Sequence, residues 1–403
     1  MKKKHVIRTL LSAILVAGLF AACGSPAAPA GGGGGAAPPA TAGTPTAPGD
    51  AGAPADDGPV RIAVAAPLTG PNAEYGIGFL NAARLQAELW NDAGGVLGGR
   101  TIEIVPFDDA NSSEEAMSIA QRIASDGGFA GVIGHFSSGV AMTAAPVYNE
   151  HQIINISPSA GHPDFSGIGE YIFRNNTVVI VEAGAILDIA VSDLGATRIG
   201  VLSIMTDWGV STSDVISNLI DGMPGVELVA HEEIMEGSPD FSPAITAFEA
   251  ANVDAVISVS QYPTLGPLAI QYRAINPSVD ILGFSNAYTR NLIYLGGDAV
   301  EGVRFPVSFF ADSPDPLVQE FVDKYVAANG YSPSALTAQA FDAVGILLEA
   351  VEAAGTTEGA AVRPFMHQVT HAGVAGNVNF DAGGDVLRDF FRVVIRDGEF
   401  VLS

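Results

Sequence analysis

Cysteine is almost absent from this chain: Cys23 is the only one among 403 residues. A lone cysteine excludes an intrachain disulfide and any metal site built on a cysteine cluster. Basic residues are scarce as well. Lys and Arg total 18 against 44 Asp and Glu, for a net charge of −26. Lys2, Lys3, Lys4 and Arg8 crowd the start, which leaves Lys324 as the only lysine beyond them. Nucleic acid needs a basic footprint, so no nucleic-acid partner is expected. A lysine-rich phosphate site is excluded on the same ground. Catalytic signatures are missing too. No glycine-rich dinucleotide fingerprint follows the first strand, and there is no Gly-Xxx-Ser-Xxx-Gly elbow or His-Glu-Xxx-Xxx-His zinc helix. His135, His151, His162 and Ser157 come near one another in sequence but sit in no such motif. The acidic cluster at Asp108 and Asp109 lacks the spacing of a calcium loop, and Ser112 with Glu115 fits a helix-capping box instead. Neither an enzyme, a cofactor nor a metal is expected.

What is present begins with a leader. The basic residues at the start precede an apolar stretch over residues 10–22 that ends in small residues, the pattern of a secretory signal over residues 1–22. That stretch is too short for a stable membrane span. Cys23 follows it directly. Leu19-Phe20-Ala21-Ala22-Cys23 resembles a bacterial lipoprotein box, with Phe20 where Leu or Val is usual. The resemblance implies lipid on Cys23. Residues 23–58 are nearly all Ala, Gly, Pro, Thr and Ser, which cannot bury a core and read as a flexible tether.

From Val60 onward, strand and helix signals alternate. Short apolar strands are expected at residues 60–68, 101–107, 129–133, 153–156, 198–204, 226–233, 254–259, 280–283, 304–310, 378–380 and 390–395. Helical periodicity is expected between them, with long helices at residues 316–329 and 334–354 near the end. Residues 171–176 read as a crossing segment. Such alternation predicts an α/β fold of mostly parallel sheets flanked by helices. The stretch from Gly131 to Gly161 organises the rest. Its two loops, at residues 135–139 and 157–161, leave the carboxyl ends of strands, where open α/β sheets bind ligands. The first also leads into a helix N-terminus, which attracts an anion such as a carboxylate. Ser137, Ser138 and Ser159 serve there either as anion contacts or as helix caps.

Several ordered motifs carry a family resemblance: PLTGPNAEYG at residues 67–76, WNDAGGVLGGR at 90–100, VIGHFSSG at 132–139, ISPSA at 156–160, DWG at 207–209 and NVNFDAGGD at 377–385. Together they resemble the solute-binding proteins of branched-chain amino acid ABC transporters, with the two-lobed type I periplasmic-binding-protein fold. The resemblance implies three crossover segments, with lobe 1 at residues 59–179 and 306–377 and lobe 2 at 180–305 and 378–403. It implies hinge closure on a ligand, a membrane permease as partner, a monomer, and a lipid-anchored place outside the cytoplasm, in the periplasm or at the cell surface. Ser138, Ser159 and Gly161 match positions that hold a ligand carboxylate. Tyr75, Trp208 and Gln261 match pocket-lining positions. Gly161 replaces a usual threonine, and Trp208 and Gln261 replace tyrosines. Ser285 stands where a glutamate usually pairs with the ligand ammonium.

A buried ammonium without a counter-charge is costly. Asp207 or another acid takes over, or the ligand is an amide, a urea or a short carboxylate. His135 either touches ligand or shapes its loop, and Tyr262 adjoins Gln261. A sensor ectodomain for a signalling receptor would share the same fold and pocket.

Overall fold

The computed structural model describes residues 58–403. The leader, Cys23 and residues 23–57 of the tether lie outside the described residues. The body opens with β1 (Val60–Ala66), buried except at Arg61, as befits a strand covered on both faces. Then come α1 (Ala73–Asp92), β2 (Ile102–Asp108), α2 (Ser113–Asp126), β3 (Phe129–Gly134), α3 (Ser138–Glu150), β4 (Asn155–Ser157) and β5 (Ile172–Arg174). Ser112 caps α2 by accepting the Glu115 N–H, as the capping box predicts. The five strands form a parallel sheet in the order β2-β1-β3-β4-β5. Successive residues of β1 feed opposite cores. Ala63 and Ala65 pack with α2 and α3, whereas Ile62 and Val64 pack with α1 and the later helices. Residues 171–176 were expected only to cross between lobes. Ile172–Arg174 instead completes this sheet, and a three-residue strand is too short to show a period.

The second sheet follows: α4 (Val179–Asp188), β6 (Arg198–Ile204), α5 (Asp207–Asp221), β7 (Glu227–Ile234), α6 (Ser242–Ala250), β8 (Ala255–Val259), α7 (Tyr262–Arg273), β9 (Asp280–Gly283), α8 (Arg290–Gly296) and β10 (Arg304–Val307). The chain then adds α9 (Pro316–Asn329), α10 (Ala335–Ala354) and α11 (Gly359–Met366), and ends in β11 (Phe391–Arg396) and β12 (Glu399–Leu402). The sheet order is β12-β11-β10-β9-β8-β6-β7, parallel from β7 to β10, with β11 antiparallel to both β10 and β12. Ile199, Val201 and Ile257 face α4 and α5, while Leu202, Val256 and Ile281 share a core with α6 and α7. Among the described residues no helix is long and apolar enough to cross a membrane.

α10 is buried along nearly its whole length and packs against α1, α11 and β3. Three crossings link the two sheets: after β5, after β10 and before β11. Gln339, on α10, ties the first two together. Its amide donates to Ser308 Oγ at 3.0 Å and Asn176 Oδ1 at 3.3 Å, and its backbone carbonyl accepts the Asn175 amide at 2.6 Å. Buried Arg388 donates to the Asn175 carbonyl from the third crossing. The tail departs from expectation here. Residues 378–380 make a single bridge with His371 instead of a strand, and Phe380 packs on Phe173 of β5. Gly384 and Asp385 bond Arg174, so the tail stays beside the first sheet past residue 378 before crossing.

Candidate functional site

The two sheets face each other across a cavity of about 260 Å3. That is smaller than sites for drug-sized ligands, at roughly 300–1,000 Å3, and suits a small solute. The first sheet contributes the loops after β3 and β4 and the start of α3. The second contributes the start of α5, the loops after β7, β8 and β9, and one side chain of α4. The lobes touch directly around it. Tyr75 Oη donates to the Asn286 carbonyl at 2.9 Å, and Thr289 Oγ1 donates to Glu74 Oε1 at 2.6 Å.

Ser138 begins α3, which carries no acid in its first turn and no side-chain cap. Its Oγ accepts the N–H groups of Gly161 at 3.2 Å and His162 at 3.3 Å. With both acceptor sites filled, its own proton is free to point into the cavity. Beside it, Asp207 opens α5 and rests against Gly139: a Cβ there would stand 1.9 Å from Asp207 Oδ2. The carboxylate thus sits near the N-termini of both α3 and α5, where helix dipoles favour negative charge.

Three carboxylates line the cavity, from Glu182, Asp207 and Glu236, and no Lys, Arg or His does. Glu182 is buried and accepts the Ser285 N–H at 2.6 Å. Burial pushes its carboxyl pKa up to about 7, against the lowering effect of the Ser285 bonds. Asn111 Oδ1 and Asn286 Oδ1 also lie in these walls, buried and without a hydrogen-bond partner among the described residues. Phe136, Val140, Trp208 and Leu336 supply the apolar surface. The cavity wall therefore offers mostly hydrogen-bond acceptors and negative charge.

A family model described as "Periplasmic binding protein" matches residues 59–399 of this chain. The chain belongs to the type I periplasmic binding proteins of the branched-chain amino acid family. It is 29% identical to Leu/Ile/Val-binding protein homolog 1 of Brucella abortus over 336 residues, covering 81% of this chain and 87% of that one. A putative branched-chain amino acid ABC transporter structure from Rhodospirillum rubrum is 33% identical, with a TM-score of 0.67, covering 86% and 100% of the two chains. A leucine-binding protein from Thermotoga maritima is 25% identical with a TM-score of 0.79, covering 85% and 97%.

Against the family pattern, the structure brings Ser138, Ser159, Asp207, Trp208, Gln261 and Ser285 to the cavity wall. Four other residues singled out from the sequence stand behind it. Ser159 lines the wall, but its hydroxyl donates to the Phe136 carbonyl at 2.7 Å, so it clamps the two loops together. Tyr75 stacks on Phe136 and faces a second cleft on the outer side of the lobe interface. Tyr262 packs near Tyr75 at 6.2 Å. His135 is fully buried, with Nδ1 2.6 Å from Asp109 Oδ2 and Nε2 3.0 Å from Tyr148 Oη, so it shapes the loop from inside. Gly161 lies under Trp208. A Cβ there would stand 3.2 Å from the indole Nε1, closer than ordinary contact, so the glycine makes room for the larger ring. Glu182, Asn111, Glu236 and Asn286 were missed by sequence reasoning. Glu182 alone left a signal, as the one acid in the apolar run Val178-Val179-Ile180-Val181-Glu182-Ala183.

Proposed function

We propose that this chain is the substrate-binding lipoprotein of an ABC importer and captures a zwitterionic amino acid between its lobes for delivery to a membrane permease. The observation that carries this reading is the composition of the cavity wall. Ser138 O–H and the start of α3 suit a carboxylate, while Glu182, Asp207 and Glu236, with no cation among them, suit an ammonium. Family membership and the names of its relatives support the amino-acid class and the importer role. A simple anionic carboxylate would meet three acids, and a neutral urea or amide would leave them uncompensated. Ligand contacts are assigned to Ser138, Asp207, Trp208, Gln261 and Ser285, with Ser159 and Gly161 holding the loops in place. The hinge of the two lobes lies at the three crossings.

The protein acts as a monomer, outside the cytoplasm, held to a membrane by lipid on Cys23. A thermal-shift screen over amino acids, amides, ureas and short carboxylates tests the ligand class, since a bound ligand stabilises by mass action. A rise confined to amino acids supports the reading; a rise with ureas or short carboxylates alone contradicts it.

A further inference from the structure

We propose that Glu182 selects for an ammonium-bearing solute in this chain, supplying from α4 the counter-charge that residue 285 lacks. This rests on the amino-acid reading above and names the residue that decides it. Of the three acids in the wall, only Glu182 is buried, at 5% exposure. Asp207 and Glu236 are exposed. Asp207 already has the N-termini of α3 and α5 beside it, and Glu236 accepts from the Asn72 amide across the cleft.

Glu182 has no such balance. Its acting partner is uncharged Ser285, whose backbone N–H reaches Oε1 at 2.6 Å. No ionised side chain acts appreciably on its carboxyl group. A buried, unpaired carboxylate is costly, so an empty cavity leaves this group drawn towards its protonated form and a cation entering the cavity compensates its charge. The same helix buries Val179, Ala183, Ile186 and Leu187 in the second lobe's core, which fixes where Glu182 points. Serine at position 285 is then no loss. It leaves room for the Glu182 carboxylate and holds it from behind, where a glutamate would set a second negative charge within contact distance.

The test is a calorimetric cycle of two proteins against two ligands. A panel of amino acids including L-leucine first identifies a binder. That amino acid and its des-amino acid (4-methylpentanoate in the case of leucine) are then titrated into the wild type and Glu182→Gln. The expected result is a loss of about thirtyfold or more for the amino acid in Glu182→Gln, with the des-amino acid changed by no more than a few fold. Ser285→Glu is expected to weaken the amino acid as well, by like-charge repulsion. A thermal midpoint for ligand-free Glu182→Gln at or above the wild type excludes unfolding as the cause. Equal losses for both ligands, an unchanged affinity for the amino acid, or tighter binding in Ser285→Glu would overturn the proposal while leaving the amino-acid reading intact. A wild type that binds no amino acid overturns both.

Discussion

Burial is opposed by hydrogen bonds from Ser285 at Glu182 and by neighbouring acids at His371, and each group gives a pH dependence of stability. The Glu182 carboxyl is raised from 4.5 to about 7 by burial. The folded state therefore holds this proton more tightly than the unfolded state. Stability is lost as pH rises from about 4.5 through about 7, and the full cost, on the order of 3 kcal/mol, applies above that. Glu182→Gln should raise the unfolding free energy of the ligand-free protein at pH 8 by roughly 1–3 kcal/mol. The gain should vanish near pH 4.5, as read by denaturant titration at both pH values. His371 is the converse case. Burial lowers its pKa, but Asp342 and Glu349, the latter 2.8 Å away, outweigh that and raise it to about 9. Its contribution is complete below about 6.5 and is lost as pH rises through about 9. The thermal midpoint of the wild type should fall between pH 7 and pH 10, and His371→Gln should flatten that slope. Position 161 gives a third expectation. Gly161→Thr should displace the Trp208 indole and weaken amino-acid binding about tenfold, measured by calorimetry.

Residues of the site were legible in proportion to how far their backbone fixes them. Ser138, Trp208 and Ser285 follow strand ends, so the alternation of strand and helix aimed their loops at a cleft, and the family resemblance singled out Trp208 and Ser285 within them. Tyr75, in the first turn of α1, and His135, in the loop after β3, also follow strand ends, yet their rings turn into the lobe interface and the core. Ring direction is set by packing partners such as Phe136 and Tyr148, which sequence order does not reveal. Glu182 lies on a helix, and which face of α4 meets the cavity is decided by how the two lobes approach.

At the scale of elements, long periodic segments were the clear ones. α9 spans Pro316–Asn329 as expected, and α10 spans Ala335–Ala354, one residue short of the expected start. Short pieces were not: α8, α11 and β12 carry too few residues to show a period. α7 begins at Tyr262, directly after the loop of β8, because Pro263 sits harmlessly in its first turn. The hinge network could not be seen in the sequence at all, since Gln339 and Arg388 look like ordinary polar residues in linear order. Gln339→Ala should cut the side-chain link between the first two crossings. It should lower stability by about 1–3 kcal/mol through unpaired buried groups. It should also enlarge the radius of gyration of the ligand-free protein in small-angle scattering; an unchanged radius would mean the network does not restrain the hinge.

For the molecule as a whole, two sheets joined by three crossings surround an acceptor-rich, acid-lined cavity, the arrangement that the proposed function reads as a hinged trap for a small zwitterion. Anchoring is a separate matter, and Cys23→Ala should release the body from the membrane fraction. The central claim is that the cavity between the lobes is an amino-acid site. Calorimetric titration of the wild type and Ser138→Ala with the amino acid found in the screen tests it most directly. Ser138 O–H offers a charge-assisted bond of about 1.5–3 kcal/mol to a carboxylate. The wild type should bind one equivalent, and Ser138→Ala should bind tenfold to a hundredfold more weakly, with its thermal midpoint nearly unchanged. Equal affinity in the two proteins would contradict the account.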